Sequence, residues 1–455
     1  PGKGDQVAKF EIPETSARFI RFVSQGNNEN KWVNLHTFRI KGVSVSKKLA
    51  KASPPPRKDP SGLEVSVWAE NPLIASPVAI SFDGQGKAYV TRVRRRKISS
   101  LDLRNHRAWV KHDLSIRSLE DKLAFYKKAM GSEQFPDVRH YSPPDRNGDG
   151  QRDWKDLAVQ KEEILRVEDT DGDGKADSKE IYFEGGTHTM SVTPGGSKIV
   201  YVATRSEVFR LKDENEDGKA DSKEILVTLK TPGKYPHNGL CALALTSDKS
   251  RLYFGLGENL GKPYEIISQT GGKEITRLAG GGEGGNIYSY ELRTGFLVRI
   301  ATGFWNPFGI CLTPEGHMFC VDNDPDGRPP NRLLKIVPGG DYGYQYRYGR
   351  SGLHPLQAWN GELPGTLPMI CGTGEAACAV IPHGKKLWVT SWALGQIDEY
   401  ELHPDGSNYS ATMKTIIKGG ADFRPVDFAH AVDGSIYFTD WMDASYELHG
   451  KGRLW

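Results

Sequence analysis

Six stretches of the chain share one hydropathic pattern: a short apolar strand, a tight polar turn, and a second apolar strand ending in a small or polar residue. They are Pro77–Arg92, Thr187–Thr204, His237–Gly257, Asn306–Asn323, Ala377–Ser391 and Arg424–Asp440. A strand pair repeated at wide, irregular spacing is the signature of a radial β array, each pair forming the two inner strands of one blade. The pattern therefore predicts an all-β protein, a six-bladed β-propeller over residues 63–455. An insertion at about residues 105–156 separates the first two pairs. Within it, Ser118–Met130 carries apolar residues at helical spacing, with Ser118 placed to cap and Asp121 three residues on.

Upstream, Ala17–Gly42 alternates apolar and polar residues over two strands, with Trp32 and Phe38 supplying bulk. Residues 1–46 read as a small partial β-sandwich that resembles the C-terminal end of a discoidin-like domain, a fold often used to bind carbohydrate. Residues 47–62, with Lys, Ser and the run Pro54–Pro56, read as a linker.

Composition refines this picture in three ways. Fifty-one glycines and 27 prolines in 455 residues suit a turn-rich β protein. A net charge of +3 gives no reason to expect nucleic acid or a membrane surface as partner. There is no apolar run of spanning length and no signal peptide at Pro1, and because proline is not a natural start the chain is expected to be a processed or excised segment. Of five cysteines, Cys311 and Cys320 sit symmetrically about the Pro314–His317 turn, and Cys371 and Cys378 bracket a short loop. Two disulfides and five buried thiols are equally open. Cys241 is left over, no haem-attachment motif is present, and an exported setting, periplasm or cell surface, is expected.

Three acidic loops repeat one grammar, with oxygen ligands at positions 1, 3, 5, 9 and 12 and glycine at 6. They offer Asp145, Asn147, Asp149, Asp153 and Asp156; Asp169, Asp171, Asp173, Asp177 and Glu180; and Asp213, Asn215, Asp217, Asp221 and Glu224. This spacing wraps a chain around Ca²⁺, the glycine allowing the sharp turn; the alternative is a solvated acidic turn. The second and third loops join the outer strands of the first two blades, on the lower face. Their calcium would be structural.

If each inner strand starts at the upper face, the upper mouth of the channel gathers His188, His237, Asn238, Glu258, Asn306, Asp322, Asn323, Asp324, Arg424 and Asp440, with Arg92, Trp305, Trp392 and Trp441 nearby. Such a polar ring suits a small ligand, with His188, Trp305, Asp322, Trp392, Asp440 and Trp441 as candidate substrate contacts. His237 and Glu258 stand at the two ends of one hairpin, and an imidazole oriented by a carboxylate is a general-base arrangement. A structural histidine is the competing explanation.

Asn306-Pro307-x-Gly309, then Asp322-Asn323-Asp324-Pro325, then Gly339-Gly340-Asp341-Tyr342-Gly343-Tyr344 resemble the central run of soluble quinoprotein glucose dehydrogenases and their aldose or sorbosone relatives. That resemblance implies pyrroloquinoline quinone (PQQ) and calcium at the upper mouth. Val65–Ala79, Ser118–Lys128, the Asp169–Asp177 loop and Asp440-Trp441…His449-Gly450-x-Gly452-Arg453 are similar to a planctomycete and verrucomicrobial group of membrane-bound dehydrogenases, over nearly all of 63–455. Members of that group often continue into helical repeats and a c-type cytochrome domain.

By the same resemblance, His237 matches the general base, Glu258 stands where an Asp orients it, Asn306 and Arg424 contact the cofactor, and Asp324–Pro325 matches its calcium segment. The chain departs from the pattern where Trp305, Asp422 and Ala393 replace two arginines and a lysine. PQQ carries three carboxylates, so these losses weaken its site. The leading expectation is oxidation of a sugar or polyol, electrons passing to a cytochrome. The alternatives are a propeller that has lost PQQ and binds carbohydrate or protein, and a calcium-dependent lactonase or hydrolase in which a mouth carboxylate such as Asp322 or Asp440 holds the metal.

Overall fold

The computed structural model describes residues 62–94, 103, 106–130, 141–143, 145, 150–157, 162–233, 235, 238–446 and 448–455. The chain divides into units Pro1–Ala50 and Lys51–Trp455. The partial-sandwich reading of residues 1–46, and with it the discoidin-like resemblance, falls outside the described residues.

All six predicted strand pairs form, and each opens one sheet. Blade 1 runs Pro77–Phe82, Ala88–Arg92, Glu162–Glu168, Ser178–Gly186 from the axis outwards, and blade 2 runs Thr189–Pro194, Ile199–Thr204, Glu207–Lys212, Ser222–Lys230. Blade 3 has Leu240–Leu245, Arg251–Leu256, Gly285–Glu291 and Leu297–Phe304, with Gly340–Asp341 added in parallel. Blade 4 has Asn306–Leu312, Met318–Asn323, Arg332–Ile336 and Cys371–Gly372; blade 5 has Ala377–His383, Lys386–Ser391, Gln396–Asp405 and Asn408–Lys418. Blade 6 closes the ring by combining both ends of the propeller. Pro425–His430, Ile436–Asp440 and Arg453–Leu454 are followed outwards by Ala69–Glu70. Adjacent inner strands contact one another in order around the circle, blade 6 meeting blade 1.

Each sheet is covered on both faces by its neighbours, so the strands are nearly continuous apolar runs and the core is a set of layers between blades. Ala79, Tyr89, Ile164 and Tyr182 of blade 1 pack on Val192, Val202 and Phe209 of blade 2. Ile80, Val90 and Leu165 of blade 1 pack on Ala429 and Leu454 of blade 6. All six inner pairs slip register shortly after the first residue of the inner strand. In three of them a threonine on the second strand caps the freed amide: Thr91 Oγ1 accepts from Ala79, Thr390 from Ala379 and Thr439 from Asp427, at 2.9–3.0 Å. Thr390 and Thr439 also donate to Val426 and Val78 of the next blade, so one hydroxyl serves both the bulge and the ring.

The structure adds two features that the sequence left open. The hairpin Tyr264–Thr270/Lys273–Gly280, inserted within blade 3, extends the sheet of blade 2 by pairing with Ser222–Lys230. All five cysteines are free thiols. Cys311 pairs across the hairpin with Phe319 and Cys320 with Ile310, a stagger of one residue. Because side chains alternate faces, that stagger sends Cys311 and Cys320 into different interblade layers. The predicted helix is present at Leu119–Met130, with the Ser118 hydroxyl accepting from Asp121 N–H and the Asp121 carboxylate accepting from Ser118 N–H. Among the described residues no helix is long and apolar enough to cross a membrane.

Candidate functional site at the upper mouth

Three cross-strand pairs form the frame of the mouth, at the upper ends of second and third strands. Asp322 lies opposite Arg332, Asp440 opposite Arg453, and Arg92 opposite Glu163. Asp322 is fully buried. Its Oδ1 accepts from the amides of Trp305 (3.1 Å) and Asn306 (2.7 Å), and its Oδ2 accepts from Arg332 at 2.6 and 3.2 Å. Asp440 repeats this in blade 6, accepting from Arg424 N and Met442 N on one oxygen and from Arg453 and the Trp455 indole on the other. Burial pushes both carboxyls up, opposed by the arginines and amides. The sequence suggested substrate contacts here. Both groups are instead sealed under the rim, where they fix the first residue of an inner strand. Neither presents an oxygen to a cation, so these two are not available as the mouth carboxylate that would hold a catalytic Ca²⁺.

On the blade 3–4 side, Trp305 packs edge-on to Tyr344 (5.5 Å) and tilted against Tyr235 (5.9 Å), and the Arg350 guanidinium lies 5.2 Å from the Trp305 ring centre. Arg350 also donates to the Tyr235 hydroxyl and pairs with exposed Asp326. Arg205 donates to the carbonyls of Tyr235 and Gly233, and its own amide bonds the carbonyl of half-buried His188. Neither Arg205, Arg350 nor Tyr235 was singled out from sequence, because each enters from a loop with no motif of its own. Asn238 is buried, its Nδ2 held by the carbonyls of Glu258 and Trp305. Gly257 is required where these elements meet: a Cβ there would lie 2.6 Å from Asn306 Oδ1 and 2.7 Å from Asn238 Cβ. Buried Glu258 accepts from the amides of Gly261 (2.6 Å) and Gly284 (3.2 Å), and burial raises its pKa. Its expected partner His237 lies outside the described residues.

On the blade 5–6 side, Arg424 lies against the tight turn that carries Trp392. A Cβ on Gly395 (φ +59°) would fall 2.7 Å from its Nη1. That Nη1 donates to the Phe423 carbonyl, Nε is buried without a hydrogen-bond partner, and Arg424 has no carboxylate counter-ion among the described residues. Trp392 stacks on Tyr446 at 4.9 Å and 9°, and Trp441 packs edge-on to His449 at 4.6 Å. Trp392 and Trp441 share one apolar cluster with Val78, Val93 and Val426. Burial lowers His449 to about 4, so the imidazole is neutral. Asp422 pairs with Arg453.

Asp324 is buried beside the Asp322–Arg332 frame, its amide bonding Asn331 Oδ1, while Asn331 Nδ2 bonds Glu375. Burial, with Glu375 and Asp326 near, raises Asp324 to about 6. A divalent cation would relieve such a cluster. Below the mouth, the inner strands of all six blades line a channel cavity of about 220 Å³.

The second and third acidic loops lie, as expected, between the outer strands of blades 1 and 2. Glu180 and Glu224, assigned to position 12, are instead on strands, cross-strand from and bonded to Arg166 and Arg210. Of the first loop, Asp145 accepts from Gly150 N, and Asp153 and Asp156 cap a short turn; Asn147 and Asp149 lie outside the described residues.

A family model described as a domain of unknown function (DUF7133) matches residues 58–334. No curated protein matches. Among solved structures, the PQQ-bound aldose sugar dehydrogenase of Streptomyces coelicolor is 13% identical with a TM-score of 0.50, over 86% of this chain and 96% of that one. A Trichoderma reesei carbohydrate-active enzyme of family AA12 is 13% identical with a TM-score of 0.51, over 86% and 94%. A glucose dehydrogenase gives 13%, 0.50, 86% and 97%. The six-bladed architecture is therefore that of sugar-dehydrogenase propellers.

Proposed function

The chain belongs to the family described as a domain of unknown function (DUF7133), and we propose that it is an oxidoreductase that oxidises a sugar or polyol at the upper mouth with PQQ as cofactor. The carrying observation is Arg424, a guanidinium with a buried, unpartnered Nε and no carboxylate counter-ion among the described residues, whose carbonyl accepts from Trp441 N and whose Nη1 lies against the Gly395 turn that follows Trp392. A planar anion suits that surround: carboxylate on guanidinium, ring against indole. Arg205 and Arg350 bring cationic groups to the opposite side, standing in for those lost at Trp305, Asp422 and Ala393. This donor set fits a polycarboxylate. Asn306 is the further contact, and the Asp324–Pro325 segment beside Glu375 would hold the accompanying Ca²⁺.

PQQ, when bound, would supply an electrophilic quinone able to accept a hydride, which carries the two electrons of the oxidation, from a carbinol carbon. The chain's own residues orient the alcohol and move the proton. His237 takes the hydroxyl proton, the role the family resemblance implies for it; the residue after it, Asn238, is bonded to two carbonyls. Glu258, held by two glycine amides, is the carboxylate that would orient the base. Trp305 and Trp441 exclude water, and His188, on the loop beside Arg205, is a further substrate contact. The likeness to sugar dehydrogenases and the family resemblance support this reading, with a c-type cytochrome as electron acceptor and an exported location.

The test is titration of the purified chain with PQQ in excess Ca²⁺, followed by quinone absorbance and heat. Saturable one-to-one binding is expected, weakened at least about tenfold in Arg424→Ala, the cost of one charge-assisted pair. With a sugar panel and an artificial acceptor, His237→Ala is expected to abolish turnover while leaving PQQ affinity within about threefold. Absence of binding at millimolar Ca²⁺ overturns the quinoprotein reading. The stacked Trp392–Tyr446 pair, with Tyr446 exposed, then favours a module that binds carbohydrate without turnover.

A further inference from the structure

We propose that the lower-face loop starting at Asp213 is a Ca²⁺ site, and that with its twin starting at Asp169 it fastens blade 6 to blade 1 and blade 1 to blade 2. This inference does not rest on the redox reading, since the loops stand between outer strands on the face away from the mouth.

The first observation is an unsatisfied oxygen. Asp213 is 4% exposed; its Oδ2 accepts from Gly218 N at 2.9 Å, while its Oδ1 is buried with no hydrogen-bond partner. Gly218 is loop position 6, so the carboxyl faces into the loop and the bare oxygen with it. A buried carboxylate oxygen without a donor is costly, and nothing described around this one donates. The other candidate ligands belong to the same loop. Asn215 Oδ1 accepts from Asp217 N, Asp217 Oδ1 from Lys219 N, and Asp221 Oδ2 from Glu214 N at 2.7 Å. The donor set is all oxygen and mostly carboxylate, which selects a hard cation, and a flexible loop of this size suits Ca²⁺ better than Mg²⁺.

The second observation comes from the twin. Asp169, Asp171 and Asp177 each place one oxygen within 4.8 Å of the others. That is near the spacing of oxygens that share one Ca²⁺.

The third observation gives the role. At loop position 8, Ala176 N donates to the Trp68 carbonyl and Ala220 N donates to the Tyr182 carbonyl, both at 2.8 Å. Trp68 leads into the outer strand of blade 6, and Tyr182 lies in the outer strand of blade 1. The two loops therefore make the same bond, each to the preceding blade. Gly218 tightens the second junction: a Cβ there would collide with the Arg166 guanidinium of blade 1, at 2.0 Å from Nη1. An ion that fixes the loop fixes this amide, and so the junction. The first junction adjoins the seam where Ala69–Glu70 pairs with Arg453–Leu454.

The experiment uses the full chain, stripped with EGTA and titrated with Ca²⁺ alone by calorimetry, with amide hydrogen exchange in both states. Asp213→Asn is expected to bind one Ca²⁺ fewer than the unaltered chain, and Asp171→Asn likewise. Glu224→Gln, outside the ligand set, is expected to keep full stoichiometry. Calcium removal should lower the melting temperature by at least about 3 °C, with Mg²⁺ failing to restore it. It should also speed exchange at the Ala176 and Ala220 amides and in the outer strands they bond. Unchanged stoichiometry in Asp213→Asn overturns the site. Calcium binding that leaves Ala176 and Ala220 exchange unaltered overturns the fastening role. Asp221→Asn provides the same stoichiometric readout if Asp213→Asn fails to fold.

Discussion

Arg332→Met is expected to destabilise the propeller by about 3–5 kcal/mol, the range for breaking a buried ion pair from one side. All five guanidinium N–H groups are used: Nε and one Nη2 hydrogen on Asp322, the other Nη2 hydrogen on the Gly303 carbonyl, and Nη1 on the carbonyls of Tyr342 and Trp359. The guanidinium also lies 3.5 Å from the Trp359 ring centre. Both partners are fully buried, and burial is the first cause of the lowered Arg332 and raised Asp322 pKa. The pair itself adds little against an apolar substitute; the cost arises when Asp322 is left buried without its cation. Asp322→Asn combined with Arg332→Met should therefore cost clearly less than the two single changes summed. Urea midpoints of the three variants measure this, and strict additivity would count against the pair as a coupled unit.

That pair also shows how far the sequence could be read. The six inner hairpins were legible because each strand is buried on both faces and each turn is polar, so residues as distant as Arg92 and Asp440 announced equivalent positions. Position was legible; partnership was not. Asp322 and Asp440 were correctly placed at the upper ends of second strands, yet their arginines follow 10 and 13 residues later with nothing in the sequence to mark the pairing. A carboxylate at a rim looks the same in sequence whether it faces solvent or a buried guanidinium. Register was equally hidden. Symmetric spacing about a turn placed Cys311 opposite Cys320, and a single residue of stagger put them on opposite faces. The same applies to Glu180 and Glu224, which complete a loop motif in sequence but lie on strands opposite Arg166 and Arg210. Tyr235, Arg205 and Arg350 meet only through the packing of three loops, which no local pattern encodes.

Asp427→Asn is expected to stabilise the protein at pH 8 by about 2 kcal/mol and to leave it unchanged near pH 4. Asp427 lines the channel cavity among Val78, Ile80, Ile310, Val380 and Phe428, half-buried, with no cation paired to it among the described residues. Its Oδ2 accepts from Ile80 N at 3.0 Å, a bond that an asparagine oxygen can keep. Burial raises it from 3.8 to about 7, against the pull of its amide bonds. The sign follows from which form the fold tolerates. Below pH 4 the carboxyl is neutral in folded and unfolded chains and costs nothing. Between pH 4 and 7 the unfolded chain ionises freely while the folded one must hold a proton or bury a charge, so stability falls as pH rises and levels off above 7. Full conversion at ~1.36 kcal/mol per pH unit gives ~4 kcal/mol, and half is kept because the channel admits solvent to the group. Nearby His430, exposed and bonded to the Pro382 carbonyl, does not reach Asp427 among the described bonds. Denaturant midpoints of both proteins at pH 4, 6 and 8 decide the matter. Equal stability at pH 8 would mean that the channel already supplies a counter-charge to Asp427, the one carboxylate among the described residues that line it.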